Sequence, residues 1–201
     1  MELHEAVGAE RATRIAERLA QASESLDRER FEEARRVSTS IAKDAPDVAA
    51  VQEVLGLACY RLGRYRQAAK ALERAHELRP SIALLPVLAD TYRGLERWAA
   101  VERLWLDIRN ASPAQEILAE GRIVAASALA DQGDLRGAIK VMTSAKTAKR
   151  VREHNLREWY VLADLYDRVG DPIAARRTFA ALVEHDPEFA DAGQRLRTLG
   201  R

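Results

Sequence analysis

The sequence contains a single cysteine, Cys59, and no hydrophobic run long enough to cross a membrane. One cysteine cannot form a disulfide within the chain, and alone it cannot supply the thiolate cluster of a structural zinc site. A spanning helix needs roughly 18 consecutive apolar residues, and the first residues, MELHEAVGAERA, lack the apolar core of a signal peptide. We therefore expect a cytoplasmic protein without membrane insertion.

Neither sign of charge is in excess, because 32 basic residues face 31 acidic ones and the net charge is +1. No global field would draw nucleic acid or an anionic membrane to this surface, so recognition must be local and nucleic acid is not the expected partner. The 47% apolar and 31% charged content is typical of a chain that buries a continuous core. Only five basic residues are lysines, and this excess of arginine is typical of a GC-rich bacterial coding sequence.

Residues in catalytic or metal-binding patterns are also scarce. The four histidines are scattered, and none has a second histidine at the spacing of a metal-binding helix: His4, His76, His154 and His185. No glycine-rich phosphate loop, triad or dyad is present. Cys59 lies among apolar positions of a helical pattern, which is typical of an inert buried thiol. We predict no enzymatic activity, no cofactor and no metal site.

What the sequence does contain is a repeat of about 34 residues. Prolines and aromatic residues recur in the same phase, at Pro46, Pro80 and Pro113 and at Phe31, Tyr65 and Trp98. The segments that align are ERFEEARRVSTSIAKDAP, GRYRQAAKALERAHELRP, ERWAAVERLWLDIRNASP and GDPIAARRTFAALVEHDP, with GDLRGAIKVMTSAK as a fifth that lacks the proline. Three matches in phase indicate a true repeat.

Each repeat is predicted to be a helical hairpin. In the second one, Val51, Leu55 and Leu62 recur at helical spacing, Gly63 ends the first helix, and a new apolar stripe starts at Tyr65. A proline then closes each second helix, since it cannot donate the next backbone hydrogen bond.

Four residues give local predictions at helix starts. Asp47 and Ser81 are expected to be N-caps, and Asp171 before Pro172 is expected to cap another helix. Pro86 lies inside the predicted first helix of the third repeat, where it should kink that helix or delay its start.

This pattern resembles the tetratricopeptide repeat family over roughly residues 15–189. In that family a small residue in the first helix lets the second helix approach closely, and the matching positions here are Ala22, Gly56, Ala89, Ala126 and Ala163. The resemblance implies an all-α, right-handed superhelical solenoid of about five helical hairpins with a C-terminal capping helix. It divides the chain into an N-terminal helical extension at 1–14, repeats at 15–48, 49–81, 82–115, 116–155 and 156–189, and a capping helix at 190–201. Long loops are expected around the fourth repeat, whose proline is missing.

The resemblance also implies a function. The first helices of such repeats form a concave groove in which an extended partner segment lies, so we expect a protein–protein interaction scaffold or adaptor. The groove positions are Glu53, Leu57, Tyr60, Arg61, Asp90, Arg93, Ser127, Asp131, Arg157, Tyr160, Asp164, Asp167 and Arg168. Tyrosine and arginine are typical anchors of protein interfaces.

Two alternatives remain open. The basic connection at 146–157 contains Lys146, Lys149, Arg150 and Arg152 and could serve an RNA-binding or regulatory helical-repeat protein. The carboxylates of the groove, such as Asp90 and Asp164, would repel phosphate. Self-association into a homo-oligomer through the apolar N-terminal stripe is also left open.

Overall fold

The computed structural model describes residues 9–145 and 150–199, and in these ranges the chain contains eleven α-helices and no strand. The all-α prediction is therefore confirmed. The helices are α1 (Ala9–Asp27), α2 (Phe31–Asp44), α3 (Ala49–Arg61), α4 (Tyr65–Leu78), α5 (Leu85–Arg93), α6 (Trp98–Ala111), α7 (Gln115–Asp131), α8 (Leu135–Thr143), α9 (Glu153–Val169), α10 (Pro172–His185) and α11 (Ala192–Thr198). Residues Leu3, His4 and Val7 of the predicted extension lie outside the described ranges.

The contacts divide the chain into two compact units, Met1–Ala100 and Val101–Arg201, with the boundary inside α6. In the first unit α1 packs against α2, α3 against α4, and α5 against α4. In the second unit α7 packs against α8, α9 against α10, and α10 against α11. The pairs α1–α2, α3–α4, α7–α8 and α9–α10 each join the first and second helices of one repeat.

Small residues set the close packing between first and second helices. Gly56 is buried against Leu72 of α4, and a Cβ atom at Gly56 would lie 2.6 Å from the Leu72 side chain. The corresponding residues Ala22, Ala126 and Ala163 are fully buried. The role predicted for these small residues is confirmed.

Of the three N-caps predicted from the sequence, the structure contains one. The N-cap prediction is confirmed for Asp171, whose side chain accepts a 3.0 Å hydrogen bond from the Ala174 amide. It is wrong for Asp47, because Val48 occupies the N-cap position of α3, and for Ser81, whose side chain makes no cap bond. Instead, the Asp47 carboxylate accepts from Arg74 of α4.

The turn between α3 and α4 and the start of α5 agree with the sequence. Gly63 follows α3 with φ +68°, a left-handed conformation that suits glycine. A 3₁₀ turn at Ile82–Leu84 precedes α5, and Pro86 occupies the first turn of that helix, where no intrahelical donor is needed. Pro86 therefore delays the helix and does not kink it.

The extra length near the fourth repeat has two sources. Its first helix, α7, has 17 residues, against 13 in α3. Only residues 112–114 join α6 to α7, so the loop before this repeat is short, and the expectation of a long loop there is wrong. The connection after α8 is longer and covers residues 144–152.

The C-terminal helix covers the end of the last hairpin. Ala192 of α11 is buried in a cluster with Ala163, Phe179 and Leu182, and Phe189, Leu196 and Leu199 pack against it. This is the contact expected of a capping helix. Within the described ranges, none of the helices combines the length and apolar character needed to cross a membrane.

Candidate partner-binding surface

All the predicted groove residues lie on first helices, and each is exposed or half-buried. The first unit contributes Glu53, Leu57, Tyr60, Arg61, Asp90 and Arg93, from α3 and α5, and these are called the first-unit surface. The second unit contributes Ser127, Asp131, Arg157, Tyr160, Asp164, Asp167 and Arg168, from α7 and α9, and these are called the second-unit surface.

Tyr60, Asp90 and Arg93 form the centre of the first-unit surface. The Tyr60 hydroxyl donates a 2.5 Å hydrogen bond to Oδ2 of Asp90, while Nε of Arg93 donates to Oδ1 at 2.6 Å. Burial and the bond to Asp90 both raise the pKa of Tyr60 above its ordinary value, so the phenol stays protonated and remains a donor. One carboxylate thus fixes two side chains and joins α3 to α5.

The remaining charged residues of this surface pair with residues outside it. Nη2 of Arg61 lies 3.2 Å from a Glu29 oxygen, and its guanidinium stands 4.3 Å from the centre of the Phe31 ring. Glu53 pairs with Arg79 at 3.2 Å. Arg61 is nevertheless about half exposed, and it keeps donors available to a partner.

Arg195 of α11 organises the second-unit surface. Its Nη1 donates to Asp164 at 2.6 Å and its Nη2 donates to Asp167 at 2.8 Å, while the guanidinium stands 4.9 Å from the centre of the Phe179 ring. Partial burial lowers the pKa of Arg195, but the bonds to the two carboxylates outweigh this and raise it. The capping helix therefore neutralises two acidic residues of α9.

Tyr160 repeats the tyrosine–carboxylate arrangement of the first unit. Its hydroxyl donates a 2.6 Å hydrogen bond to Asp191, which precedes α11, and its ring meets Phe179 edge-on at 5.9 Å. The bond to Asp191, helped by desolvation, raises the pKa of Tyr160. Each tyrosine of the predicted groove thus bonds to an aspartate further along the chain. Tyr60 bonds to Asp90 in the next first helix, and Tyr160 bonds to Asp191, just before the capping helix α11.

The other four residues of the second-unit surface are Ser127, Asp131, Arg157 and Arg168. Arg157 pairs with Glu120 of α7 at 2.8 Å, and Arg168 donates to the Ala130 carbonyl at 3.4 Å. Ser127 is half-buried and Asp131 is exposed.

Residues 17–81 match the family model of the tetratricopeptide repeat. This segment belongs to the tetratricopeptide repeat family. A thermophilic tetratricopeptide repeat protein of Thermus thermophilus is similar in structure, with 17% identity and a TM-score of 0.66, over 92% of this chain and 98% of that one. MamA from Desulfovibrio magneticus RS-1 has 18% identity and a TM-score of 0.65, over 88% and 97% of the two chains.

Larger proteins contain the same fold. A tetratricopeptide repeat protein from Parabacteroides merdae has 15% identity and a TM-score of 0.70, over 93% of this chain and 71% of that one. The APC/C hetero-tetramer Cut9–Hcn1 contains a chain with 15% identity and a TM-score of 0.70, of which this chain spans 36%. No curated protein matches the sequence significantly. These likenesses establish the tetratricopeptide repeat fold.

The second unit also contains a buried ion pair that sequence reasoning missed. Arg122 of α7 donates to Oε1 of Glu158 in α9, and both side chains are at most 9% exposed. Asn155 donates to the other Glu158 oxygen at 3.3 Å, and the Arg122 guanidinium lies 6.0 Å from the centre of the Trp105 ring. Nε of Arg122 has no hydrogen-bond partner among the described residues. This pair joins two consecutive first helices inside the unit.

The basic connection is only partly described. Lys146 and Lys149 lie outside the described ranges, and Arg150 is exposed. Arg152 pairs with Glu116 of α7 at 3.5 Å. Arg157 is also paired, with Glu120 at 2.8 Å.

Two further kinds of site were considered in the sequence: a metal site and a reactive thiol at Cys59. Among the described residues no group of three or more His, Cys, Asp or Glu could hold a metal ion. Cys59 is buried, as predicted, and desolvation raises the pKa of its thiol. Its sulfur lies 3.8 Å from Oε1 of Gln67. The thiol therefore stays protonated, which is the unreactive form.

The pairs that the sequence did not reveal share one property. Tyr60 and Asp90 are 30 residues apart, and Arg195 and Asp164 are 31 apart, so each pair spans about one repeat. Complementary polar residues about one repeat apart are the signal of these pairs in the sequence, although the spacing alone does not show which of them meet. Arg61 and Glu29 are 32 residues apart, but Glu53 and Arg79 are only 26 apart.

Proposed function

We propose that this chain is an interaction scaffold or adaptor that binds a segment of a partner protein on the first-unit and second-unit surfaces. Tetratricopeptide repeats commonly mediate protein–protein interactions and are generally not enzymes. In this family the first helices form a concave groove, and the two surfaces contain the residues that correspond to it. The proposal includes action in the cytoplasm, where a single protonated thiol needs no disulfide partner.

One observation carries the proposal: the groove residues are accessible and many are held in place. Asp90 fixes Tyr60 and Arg93, and Arg195 fixes Asp164 and Asp167. A surface whose side chains are already ordered loses less conformational entropy on binding, so the same contacts yield a higher affinity.

The chemistry of the surfaces indicates the kind of segment. Arg61 of the first-unit surface and Arg157 and Arg168 of the second-unit surface are each about half exposed. An extended segment that carries carboxylates or backbone carbonyls could accept hydrogen bonds from these guanidinium groups. The Cut9–Hcn1 hetero-tetramer shows that a chain of this fold occurs in a complex of different subunits.

Affinity co-purification from the native organism tests the proposal. The variant Arg61→Ala/Arg93→Ala/Arg157→Ala/Arg168→Ala removes four cations from the first-helix surfaces. The matched control removes four exposed cations of second helices, through Arg36→Ala/Arg66→Ala/Arg103→Ala/Arg176→Ala. Both variants lower the net charge equally, so a non-specific electrostatic effect would be the same in both.

We expect the first-helix variant to lose a partner that the wild type and the control retain. Circular dichroism melting of each variant verifies that the fold is intact. If every co-purifying protein is retained by the folded first-helix variant, or lost equally in the control, the proposal fails.

A further inference from the structure

A cleft of about 780 Å³ lies on the second-helix side of the first unit, away from the surfaces proposed above. Its walls are α2 and α4, and its floor is α3, through Gln52, Leu55 and Cys59. The volume falls in the range of about 300–1,000 Å³ that is usual for binding sites.

A comparison with the last repeat explains why this cleft is open. The equivalent space between α8 and α10 measures only about 340 Å³. Counted from the small residues Gly56 and Ala163, the floor positions Gln52 and Cys59 correspond to Trp159 and Tyr166. Two large aromatic side chains line the site in the last repeat, where the first unit has an amide and a thiol. On the walls, Thr39, Ala42 and Ala71 are also small.

The charges around the cleft are unequal once the internal pairs are taken into account. Glu73 is held by the Tyr92 hydroxyl at 2.8 Å and lies 3.5 Å from Arg97. Arg74 is shared between two carboxylates, Glu77 at 3.2 Å and Asp47 outside the cleft. Lys43 and Lys70 are exposed on the rim and form no ion pair with the described residues. The rim therefore offers two lysines, without an ion pair to the described residues, above a partly apolar floor.

We propose that this cleft is a second binding site, which takes an acidic, amphipathic segment of a partner protein. Apolar side chains of the segment cover Leu55, Ala42 and Pro46, and its carboxylates pair with Lys43 and Lys70. The apolar floor distinguishes this ligand from nucleic acid, whose phosphates would use the lysines alone. A helix that presents apolar residues at three- and four-residue spacing has the required shape.

Fluorescence anisotropy with the full chain tests the site directly. The probe is a fluorescein-labelled peptide of about four helical turns with leucine on one helical face and glutamate on the other. The comparison probes are the same peptide with lysine in place of glutamate, and polyuridylate. We expect saturable binding of the glutamate peptide only.

Variants then locate the binding. Lys43→Glu/Lys70→Glu should weaken it about tenfold or more, since attraction becomes repulsion at the rim. Cys59→Tyr should also weaken binding, because it places an aromatic side chain on the floor, as Tyr166 does in the last repeat. If Cys59→Tyr does not fold, Thr39→Phe is the second variant, which fills the cleft from its wall. The matched control Arg66→Glu/Lys140→Glu reverses two exposed charges outside the cleft and should bind as the wild type does.

The outcomes separate this site from the first-helix surfaces. The variant with four arginines removed from the first helices should bind the glutamate peptide normally, so loss of partner binding there leaves this proposal intact. Equal binding of the lysine peptide or of polyuridylate, unchanged binding by the cleft variants, or no saturable binding of the glutamate peptide would overturn it.

Discussion

The hydroxyl of Tyr60 in α3 donates a 2.5 Å hydrogen bond to the carboxylate of Asp90 in α5. The two residues belong to the first helices of consecutive repeats, and both lie on the surface proposed to bind a partner. A single polar contact thus serves the packing of the repeats and the order of the candidate site. The stability of the chain and its binding surface are therefore linked at this pair.

Removal of this hydrogen bond should destabilise the fold. Tyr60→Phe keeps the ring and deletes the donor, and we expect the free energy of unfolding to fall by about 1 kcal/mol. Urea denaturation measures the change. Tyr166→Phe is the control, because the Tyr166 hydroxyl makes no hydrogen bond with the described residues, and it should change stability by less than about 0.5 kcal/mol. Equal effects of the two substitutions would show that the bond to Asp90 contributes nothing.

The same pair should make the fold sensitive to alkaline pH. The folded state raises the pKa of Tyr60, while an unfolded tyrosine loses its proton near about pH 10. Above that pH the unfolded state binds fewer protons than the folded state, so stability falls as pH rises. We expect this loss between about pH 9 and about pH 11 to be smaller in Tyr60→Phe than in the wild type. Cys59 and Tyr160, whose pKa values are also raised, are common to both proteins, so parallel stability curves would contradict the assignment to Tyr60.

The close approach of α3 and α4 should not tolerate even one methyl group. Gly56→Ala would place a Cβ atom 2.6 Å from the Leu72 side chain, and we expect a loss of about 1–3 kcal/mol despite the better helix propensity of alanine. In a Leu72→Ala background the same substitution should cost much less, because the clash is removed. Gly193→Ala is the control, since its nearest neighbours are 3.7 Å away. An equal cost of Gly56→Ala in both backgrounds would refute the packing account.

The buried ion pair should be costly to break and less costly to replace. Arg122→Met leaves the Glu158 carboxylate unpaired in the core, and we expect a loss of about 3–5 kcal/mol. The double variant Arg122→Met/Glu158→Leu removes both charges and should recover most of that stability. Chemical denaturation of the two single variants and the double variant gives the coupling energy. Additive losses would show that the two residues do not act as a pair.

The repeat pattern predicted the helices because each signal occurs several times in phase. Small residues such as Gly56 and Ala163 mark the first helices, and Gly63 marks the end of one. The failures concern single side chains with more than one available partner. Asp47 looked like an N-cap, but Arg74 of α4 competes for its carboxylate, and that contact requires knowledge of how two helices pack.

The candidate surface was predictable in position but not in its internal bonds. The first-helix register placed Tyr60, Asp90 and Asp164 at accessible positions. It did not reveal that Arg195 of the capping helix neutralises Asp164, because side-chain contacts between consecutive helices depend on their relative height and rotamers.

The most direct test of the account is hydrogen–deuterium exchange of the chain with and without a co-purified partner. Binding to the first-helix surfaces should slow exchange in α3, α5, α7 and α9, where the groove residues lie. The arginine variant of the first helices should abolish this protection, and the second-helix control should preserve it. Protection confined to the second helices α2, α4 and α10 would contradict the claim that the first helices bind the partner.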